Sequence, residues 1–269
     1  MNEIMRAEGV SKSFPVVSGF LRKQVGEIRA VDNVSFTLDR GQVLGIVGES
    51  GSGKSTLART VLRLIEPTSG KIYFDGVDLS SLSREALRKE RKKMQMVFQN
   101  PALSLNPRKT VRETIGEVLR VHNIVPQEEE IPYTEKLLER VGLDHDLLSR
   151  YPHELSIGQK QRVAIGRAIS TGPSLLVLDE CVSALDISIQ AQVLNLLQEL
   201  LGSLGMSYLF ISHDLTVVEH LADTILVMLE GRVVEMGPCD QILENPQHPY
   251  TQRLLSAALS THPRARTVK

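Results

Sequence analysis

One stretch restricts the fold of this chain strongly: residues 48–55 form a glycine-rich loop with the pattern G-x-x-x-x-G-K-[ST]. An apolar run over residues 43–47 predicts a buried strand before the loop, and residues 56–62 begin a predicted helix after it. Glycines let the backbone curl so that several N–H groups converge on phosphate oxygens. The following helix directs its positive N-terminal end at the same anion. This arrangement predicts a nucleoside triphosphate site; the plainer alternative is a glycine-rich turn that only joins strand to helix.

Two side chains of the loop are predicted to have different roles in binding the triphosphate. Lys54 should reach the β- and γ-phosphates, and the hydroxyl of Ser55 should bind Mg²⁺. The residues predicted to line the nucleotide are consecutive in the chain: Gly48, Glu49, Ser50, Gly51, Ser52, Gly53, Lys54, Ser55 and Thr56.

Composition indicates an ordinary globular protein and argues against two other classes. The chain has 269 residues, of which 42% are apolar and 23% charged, and its net charge is −1. Without a basic excess, a nucleic-acid-binding surface is not expected. No apolar run approaches the roughly 18–20 residues that cross a bilayer, and no signal peptide is apparent. Because Cys181 and Cys239 lack metal or redox spacing, a reducing compartment is expected, with any membrane connection supplied by a partner.

Strand and helix patterns alternate along the chain, which predicts an α/β fold with a largely parallel sheet. Near the N-terminus, residues 4–14 and 30–38 have strand patterns, and residues 18–29 form a polar, basic stretch between them. From residue 100 to about 154 the pattern changes, with five prolines and two helix-like segments at 111–122 and 133–141. A small helical lobe inserted into the α/β core is therefore expected.

Two adjacent acids end a strongly apolar run at residues 175–178. In a protein with a phosphate-binding loop, the first acid at such a strand end, Asp179, would hold Mg²⁺ through water. The second, Glu180, would orient and polarise the attacking water. A helix-capping or solvated acidic pair is the plainer alternative.

The sequence Leu-Ser-Ile-Gly-Gln at residues 155–159 opens a predicted helix. Ser156 and the backbone of Gly158 could donate hydrogen bonds to phosphate oxygens at the helix N-terminus. Taken alone, the serine is an ordinary N-cap.

Together these motifs resemble the ATP-binding cassette (ABC) family. The ordered set comprises the loop at 48–55, Gln99 after a strand, the segments at 155–159, 175–180 and 183–186, and a histidine after a strand at 213. The resemblance implies a P-loop NTPase (RecA-like) core with a mainly parallel sheet, an antiparallel β portion and an inserted α-helical subdomain. It further implies a single nucleotide-binding domain over 1–269, with the core at about 1–99 and 160–269 and the helical subdomain at about 100–159.

The resemblance also implies roles for individual residues. The catalytic set would be Glu180, His213, Lys54 and Gln99. Mg²⁺ would be held by Ser55, Gln99 and Asp179. Two domains of the family pair head to tail. Residues of the segment at 155–159, called the signature, and a residue at the dimer seam would therefore contact ATP bound to the partner: Ser156, Gly158, Gln159 and Asp186. Phe14 stands where the family usually offers an aromatic ring to adenine. Singly, Gln99 could be a surface residue, His213 a helix cap and Phe14 simple core.

Further segments are similar to the ATPases of peptide and nickel importers. They include residues 97–111, 190–197, 211–223 and a His-Pro-Tyr-Thr stretch within 245–255. The similarity implies an ATP-hydrolysing subunit on the cytoplasmic face of the inner membrane, without a transmembrane segment of its own. Its partners would be a second ATPase subunit, usually a different chain but alternatively a second copy, two membrane permease subunits and an extracytoplasmic substrate-binding protein.

Ile157 departs from the family pattern, which usually has glycine there. A branched side chain restricts the backbone near the phosphate, so a catalytically weak regulatory subunit is one alternative. Another alternative is a soluble cassette ATPase that acts on ribosomes or DNA. Such proteins typically carry two cassettes or long inserted arms, and neither is found in this sequence.

Overall fold

The computed structural model describes residues 2–18 and 23–261, which form two compact units. The first unit comprises Met1–Ser83 and Leu209–Lys269, and the second comprises Arg84–Tyr208. Across all described residues, the helices lack the length and apolar character needed to span a bilayer.

A four-stranded antiparallel sheet opens the first unit, in the order β2-β1-β4-β5. Its strands are β1 (Glu3–Ser18), β2 (Lys23–Asp39), β4 (Ser69–Phe74) and β5 (Val77–Asp78). The core face carries apolar side chains that are fully buried, among them Met5, Val34 and Phe74. This sheet is the antiparallel portion that the sequence led us to expect.

The two N-terminal strands are longer than predicted. Most of the polar stretch at 18–29 belongs to the β1–β2 ribbon, while residues 19–22 lie outside the described residues. In the ribbon Phe14 pairs with Ile28, and Val16 with Gly26. Hydrogen bonds between the two strands hold the ribbon together, and this cross-strand pairing leaves no local pattern in the sequence of either strand. Polar composition therefore misled the sequence-based assignment.

The phosphate loop lies between a buried strand and a helix, also in the first unit. Every residue of β3 (Val43–Val47) is buried, and α1 (Lys54–Val61) follows the loop. Strand β3 pairs in parallel with β9 (Thr224–Leu229), which pairs antiparallel with β10 (Arg232–Pro238). Three C-terminal helices complete the unit: α8 (Leu215–Glu219), α9 (Cys239–Glu244) and α10 (Pro249–Thr261). Helix α9 was not predicted from the sequence.

The second unit contains a parallel strand pair and most of the helices. Strand β6 (Met94–Val97) pairs in parallel with β7 (Leu175–Asp179). Strand β8 (Ser207–Ile211) begins in this unit and ends in the first. The helices of the unit are α2 (Arg84–Arg91), α3 (Pro101–Ser104), α4 (Val111–Val121), α5 (Glu130–Arg140), α6 (Ile157–Ile169) and α7 (Ile187–Leu204). The combination of parallel and antiparallel pairing with helices confirms the α/β class.

Residues 100–159 contain helices and turns but no strand, as the prolines and helical patterns indicated. Their apolar core includes Ile115, Leu119 and Leu138, all fully buried. Helix α4 begins with a capping box, in which Thr110 accepts the N–H of Glu113 at 3.2 Å and Glu113 accepts the N–H of Thr110 at 2.7 Å. Such reciprocal bonds fix the start of a helix.

A glycine in β3 provides a test of this packing. A Cβ at Gly45 would clash with Val218 and lie 3.1 Å from the Cβ of Ala222. Gly45→Ala should therefore lower the free energy of unfolding by about 1–3 kcal/mol because the buried site has no room for a methyl group. Urea denaturation measures the change.

Gly202→Ala is the matched control. It adds the same methyl group on α7, where nothing lies within 4 Å of the added Cβ. Since alanine is the better helix former, this variant should be neutral or up to about 1 kcal/mol more stable. Equal stability of the two variants would contradict the assigned packing of β3.

Candidate active site

The phosphate loop has the curled backbone that its glycines predict. Gly48, Gly51 and Gly53 have φ angles of 150°, 83° and 101°. A Cβ at Gly48 would collide with the carbonyl oxygen of Met228, and one at Gly53 with that of Ala30. These two positions require glycine because neighbouring backbone approaches the loop too closely for any side chain.

Lys54 lies at the centre of the curl. Its Nζ donates to the carbonyl oxygens of Gly48 at 2.7 Å and Glu49 at 2.8 Å, and lies 3.5 Å from the hydroxyl of Ser52. The side chain is only 3% exposed. The ammonium group is therefore held inside the loop, where it adds positive charge to the N-terminal end of α1.

The first helical turn carries the remaining predicted loop residues. Helix α1 begins at Lys54, so the half-buried Ser55 and Thr56 lie in its first turn. Ser50 and Gly51 form the exposed tip of the loop. All nine predicted lining residues thus lie on one continuous segment that runs from the end of β3 through the first turn of α1.

Neighbouring segments of the first unit brace the loop through its backbone. The N–H of Gly231 donates to the carbonyl of Ser52 at 2.9 Å, and the carbonyl of Gly231 accepts the N–H of Asp32 at 2.8 Å. At the other end, the N–H of Glu49 donates to the hydroxyl of Tyr250 at 2.9 Å. Sequence reasoning missed this contact. The His-Pro-Tyr-Thr stretch was noted only as a family resemblance, and no local pattern signals its contact with a loop 200 residues away.

His213 belongs to the same unit as the loop. The N–H of Ser212 donates to the carbonyl of Ile46 at 3.2 Å, which joins the end of β8 to β3 one residue before β3 ends. His213 follows at once and is exposed. The histidine therefore leaves the sheet at the same edge as the phosphate loop. The sequence alternative was that His213 caps a helix. The residue that caps α8 is instead its neighbour Asp214, which accepts the N–H of Thr216.

Phe14 lies on β1, where the residue is 37% exposed. The ammonium group of Lys12 stands 5.0 Å from the ring centroid, within the range of a cation–π contact. The ring is therefore not part of the hydrophobic core, and its assignment to adenine stays a prediction.

In the second unit, the structure brings together two of the predicted catalytic residues. The side-chain Nε2 of Gln99 donates to Oε2 of Glu180 at 2.8 Å, although 81 residues separate them. Gln99 follows β6 and Glu180 follows β7, and these parallel strands end at the same edge. The amide thus orients the carboxylate that is predicted to polarise water.

The backbone at Glu180 adopts a conformation that is uncommon for a residue with a side chain, with φ of 47°. Ser183 holds this turn, because its N–H and its hydroxyl both donate to the carbonyl of Glu180, at 3.2 and 2.9 Å. Asp179, at the end of β7, is 1% exposed. The following thiol of Cys181 is also buried, which raises its pKa to about 12, so it stays protonated and is not a nucleophile.

The segment at 155–159 forms the start of α6, and Ser156 is its N-cap, which was the structural alternative to a phosphate contact. Ser156 Oγ accepts the N–H of Gln159 at 3.2 Å, and Gln159 Oε1 accepts the N–H of Ser156 at 2.9 Å. A cap does not exclude a second role, because the serine hydroxyl accepts through its oxygen and keeps its hydrogen to donate. Gly158 allows α6 to approach α7, since a Cβ there would lie 2.7 Å from Cγ2 of Ile189.

Two further residues that the sequence singled out lie at helix starts. Ile157 is the first residue of α6 and is 37% exposed. A β-branched residue tolerates helical angles at low cost, so the substitution leaves the helix start intact. Asp186 caps α7 by accepting the N–H of Ile189 at 3.0 Å.

The chemistry of these groups fits a nucleoside triphosphate and its hydrolysis. The first unit supplies a curled backbone, a helix N-terminus and a buried ammonium, all suited to a polyanion. The second supplies a carboxylate oriented by an amide, suited to a general base or a water-positioning group.

Comparison with known proteins identifies the family. A family model described as ABC transporter matches residues 31–183, more than half of the chain. A second model, described as the C-terminal region of oligopeptide/dipeptide transporters, matches residues 234–269.

Individual proteins and structures agree with these matches. The chain is 52% identical over 262 residues to the oligopeptide transport ATP-binding protein AppF of Bacillus subtilis, covering 97% of this chain and 80% of that protein. It is 46% identical over 260 residues to the glutathione import ATP-binding protein GsiA of Escherichia coli O157:H7, covering 97% of this chain and 42% of that protein. The dimeric post-hydrolysis structure of the ATP-binding cassette MJ0796, bound to ADP and Pi, has a TM-score of 0.77 at 27% identity and covers 88% of this chain and 99% of that one. The chain therefore belongs to the ABC transporter family and is an ATPase with the α/β fold of its nucleotide-binding cassettes.

Proposed function

We propose that this chain is the ATP-hydrolysing subunit of a membrane importer of peptides. The observation that carries the proposal is a complete phosphate loop in the same chain as a carboxylate at a strand end, Glu180, which Gln99 orients at 2.8 Å. The peptide assignment rests on the family match at 234–269 and on the oligopeptide transport name of the relative that is 52% identical. Nickel, the other cargo that the sequence suggested, has no comparable support.

Hydrolysis is proposed to use residues of this chain as follows. The ammonium of Lys54 neutralises charge that develops on the transferred phosphoryl group. Glu180 polarises the attacking water, and His213 contacts that water and the γ-phosphate. Mg²⁺ stays a prediction on Ser55, Gln99 and Asp179, whose side chains carry the oxygen donors that this hard cation prefers. When bound, the ion would offset the negative charge of the β- and γ-phosphates.

The active form is proposed to pair this chain with a second ATPase subunit, either a different chain or a second copy. The sequence contains one phosphate loop and one signature segment, and the similar cassette MJ0796 was solved as a dimer. Each ATP would then lie between the loop of one subunit and the signature residues Ser156, Gly158 and Gln159 of the other, with Asp186 at the seam. Phe14 would face adenine.

The remaining partners are proposed to be two membrane permease subunits and an extracytoplasmic substrate-binding protein. The chain would lie peripherally on the cytoplasmic face of the membrane, held by the permease subunits. We further propose a single nucleotide-binding domain over 1–269, with the helical subdomain at about 100–159 facing the permease.

A soluble cassette ATPase would instead purify without membrane subunits, so co-purification with permease subunits distinguishes an importer subunit from a soluble ATPase. Measurable ATP hydrolysis with the partner subunit would exclude the catalytically weak regulatory role that Ile157 suggested.

The role of the phosphate loop can be tested at Lys54. Lys54→Ala removes the buried ammonium group, and loss of charge-assisted hydrogen bonds should weaken ATP binding by about tenfold or more. Titration with a fluorescent ATP analogue measures the dissociation constant. Lys89→Ala is the control, because that side chain is 77% exposed on α2 and its removal should leave affinity unchanged. Unchanged binding by Lys54→Ala would refute the assigned cradle.

The role of Glu180 in hydrolysis can be tested separately from ATP binding. Glu180→Gln keeps an oxygen that can accept the hydrogen bond from Gln99 but removes the negative charge that polarises water. ATP binding should persist, while turnover should fall by at least about 100-fold. Phosphate release in the assembled transporter measures turnover, and Glu199→Gln on the exposed face of α7 should hydrolyse at the wild-type rate. Wild-type turnover in Glu180→Gln would remove Glu180 from the catalytic role.

The cargo requires a separate experiment. The chain should be assembled in proteoliposomes with its ATPase partner, its permease subunits and its substrate-binding protein. A mixture of oligopeptides is expected to stimulate ATP hydrolysis, whereas Ni²⁺ should not. Stimulation by Ni²⁺ alone would overturn the peptide assignment and leave the ATPase assignment in place.

A further inference from the structure

The C-terminal segment contacts the phosphate loop through one side chain. The hydroxyl of Tyr250, at the start of α10, accepts the N–H of Glu49 at 2.9 Å. Tyr250 is 3% exposed, whereas Glu49 is exposed, so the hydrogen bond is partly buried. Both residues belong to the first unit. The nucleotide site described above does not account for Tyr250, which lies about 200 residues from the loop in sequence.

A carboxylate on β10 fixes the segment that presents this tyrosine. Glu235 accepts the N–H of Gln247 at 2.7 Å through one oxygen and that of His248 at 3.0 Å through the other. In turn, Nδ1 of His248 accepts the N–H of Tyr250 at 3.2 Å. Strand β10 pairs with β9 and β9 with β3, the strand that leads into the loop. The tyrosine and the loop are therefore positioned by one sheet.

The contact fixes one specific peptide group of the loop. Tyr250 accepts the N–H of the Gly48–Glu49 peptide, while Lys54 Nζ donates to the carbonyl oxygen of the same peptide, that of Gly48, at 2.7 Å. Burial raises the pKa of Tyr250, so its hydroxyl remains neutral and does not bring a negative charge to the anion site. With both the N–H and the carbonyl of this peptide held, the orientation of the carbonyl oxygen that binds Lys54 is restricted.

We propose that Tyr250 is a positioning residue for ATP: it holds the peptide at Glu49 in the conformation that places Lys54 for the phosphates, and so makes nucleotide affinity depend on the C-terminal His-Pro-Tyr-Thr segment. The inference rests on the proposed binding of ATP by the phosphate loop. It assigns to the C-terminal region a role in the chain's own nucleotide site.

The test removes only the hydroxyl. Tyr250→Phe in the full chain should weaken binding of a fluorescent ATP analogue by about two- to tenfold, the range expected for one hydrogen bond. It should also speed hydrogen exchange of the Glu49 amide, measured by NMR, because that N–H loses its acceptor. A change confined to general stability would not produce this residue-specific exchange.

Tyr133→Phe is the matched control. Its hydroxyl donates to the carbonyl of Ser170 at 3.0 Å in the second unit, so the variant loses one comparable hydrogen bond. Nucleotide affinity and exchange at Glu49 should both match the wild type. A second variant, Glu235→Ala, releases the segment that presents Tyr250 and should weaken nucleotide binding in the same direction.

The possible results distinguish a failure of the proposed role of Tyr250 from a failure of the proposed ATP binding by this chain. If Tyr250→Phe bound ATP with normal affinity and the Glu49 amide exchanged at the normal rate, the positioning role would be overturned. The proposed function would still stand, because the wild-type chain binds ATP. Equal losses in Tyr250→Phe and Tyr133→Phe would also overturn it, since they would reflect stability alone. Failure of the wild-type chain to bind ATP would instead overturn the proposed function itself.

Discussion

The close approach of backbone to backbone around the phosphate loop is the constraint on which the site depends. Gly48 and Gly53 lie against the carbonyl oxygens of Met228 and Ala30, so any side chain at either position would push the loop off its strand. The loop is thereby fixed to two other segments of the first unit, the end of β9 and the ribbon of β1 and β2. A backbone fixed in this way needs little reorganisation to bind an anion, and the cost of ordering is met during folding rather than during binding.

Electrostatics explain why such a loop favours phosphate over other ligands. Burying an ammonium group is costly unless hydrogen bonds and negative charge offset the loss of water. The carbonyl oxygens of Gly48 and Glu49 offset part of that cost for Lys54. A phosphate group would add full negative charge beside the same ammonium and beside the N-terminal end of α1. The loop therefore combines a fixed shape with a local excess of positive potential.

How much the sequence could predict depended on how local each signal was. The loop, the buried strands β3 and β7 and most helices were predicted because short patterns specify them. The part of the β1–β2 ribbon beyond the predicted strands at 4–14 and 30–38 was missed, since pairing between two strands leaves no local pattern in the sequence. The Gln99–Glu180 and Glu49–Tyr250 hydrogen bonds span 81 and 201 residues, so their partners could be found only from the fold. The sequence indicated Gln99 and Glu180 separately, whereas the stretch that contains Tyr250 was noted only as a family resemblance, without a role.

The signature region shows how one residue can serve both folding and function. Ser156 and Gln159 bond each other in a capping box, and Asp186 caps the next helix, so stability alone would justify all three. Capping also fixes their side chains before any partner arrives, which lowers the entropy cost of a later contact. Ile157 occupies the first turn of the same helix without disturbing the cap. Its effect on a partner's nucleotide would therefore be steric, through the exposed side chain, and not through a distorted helix start.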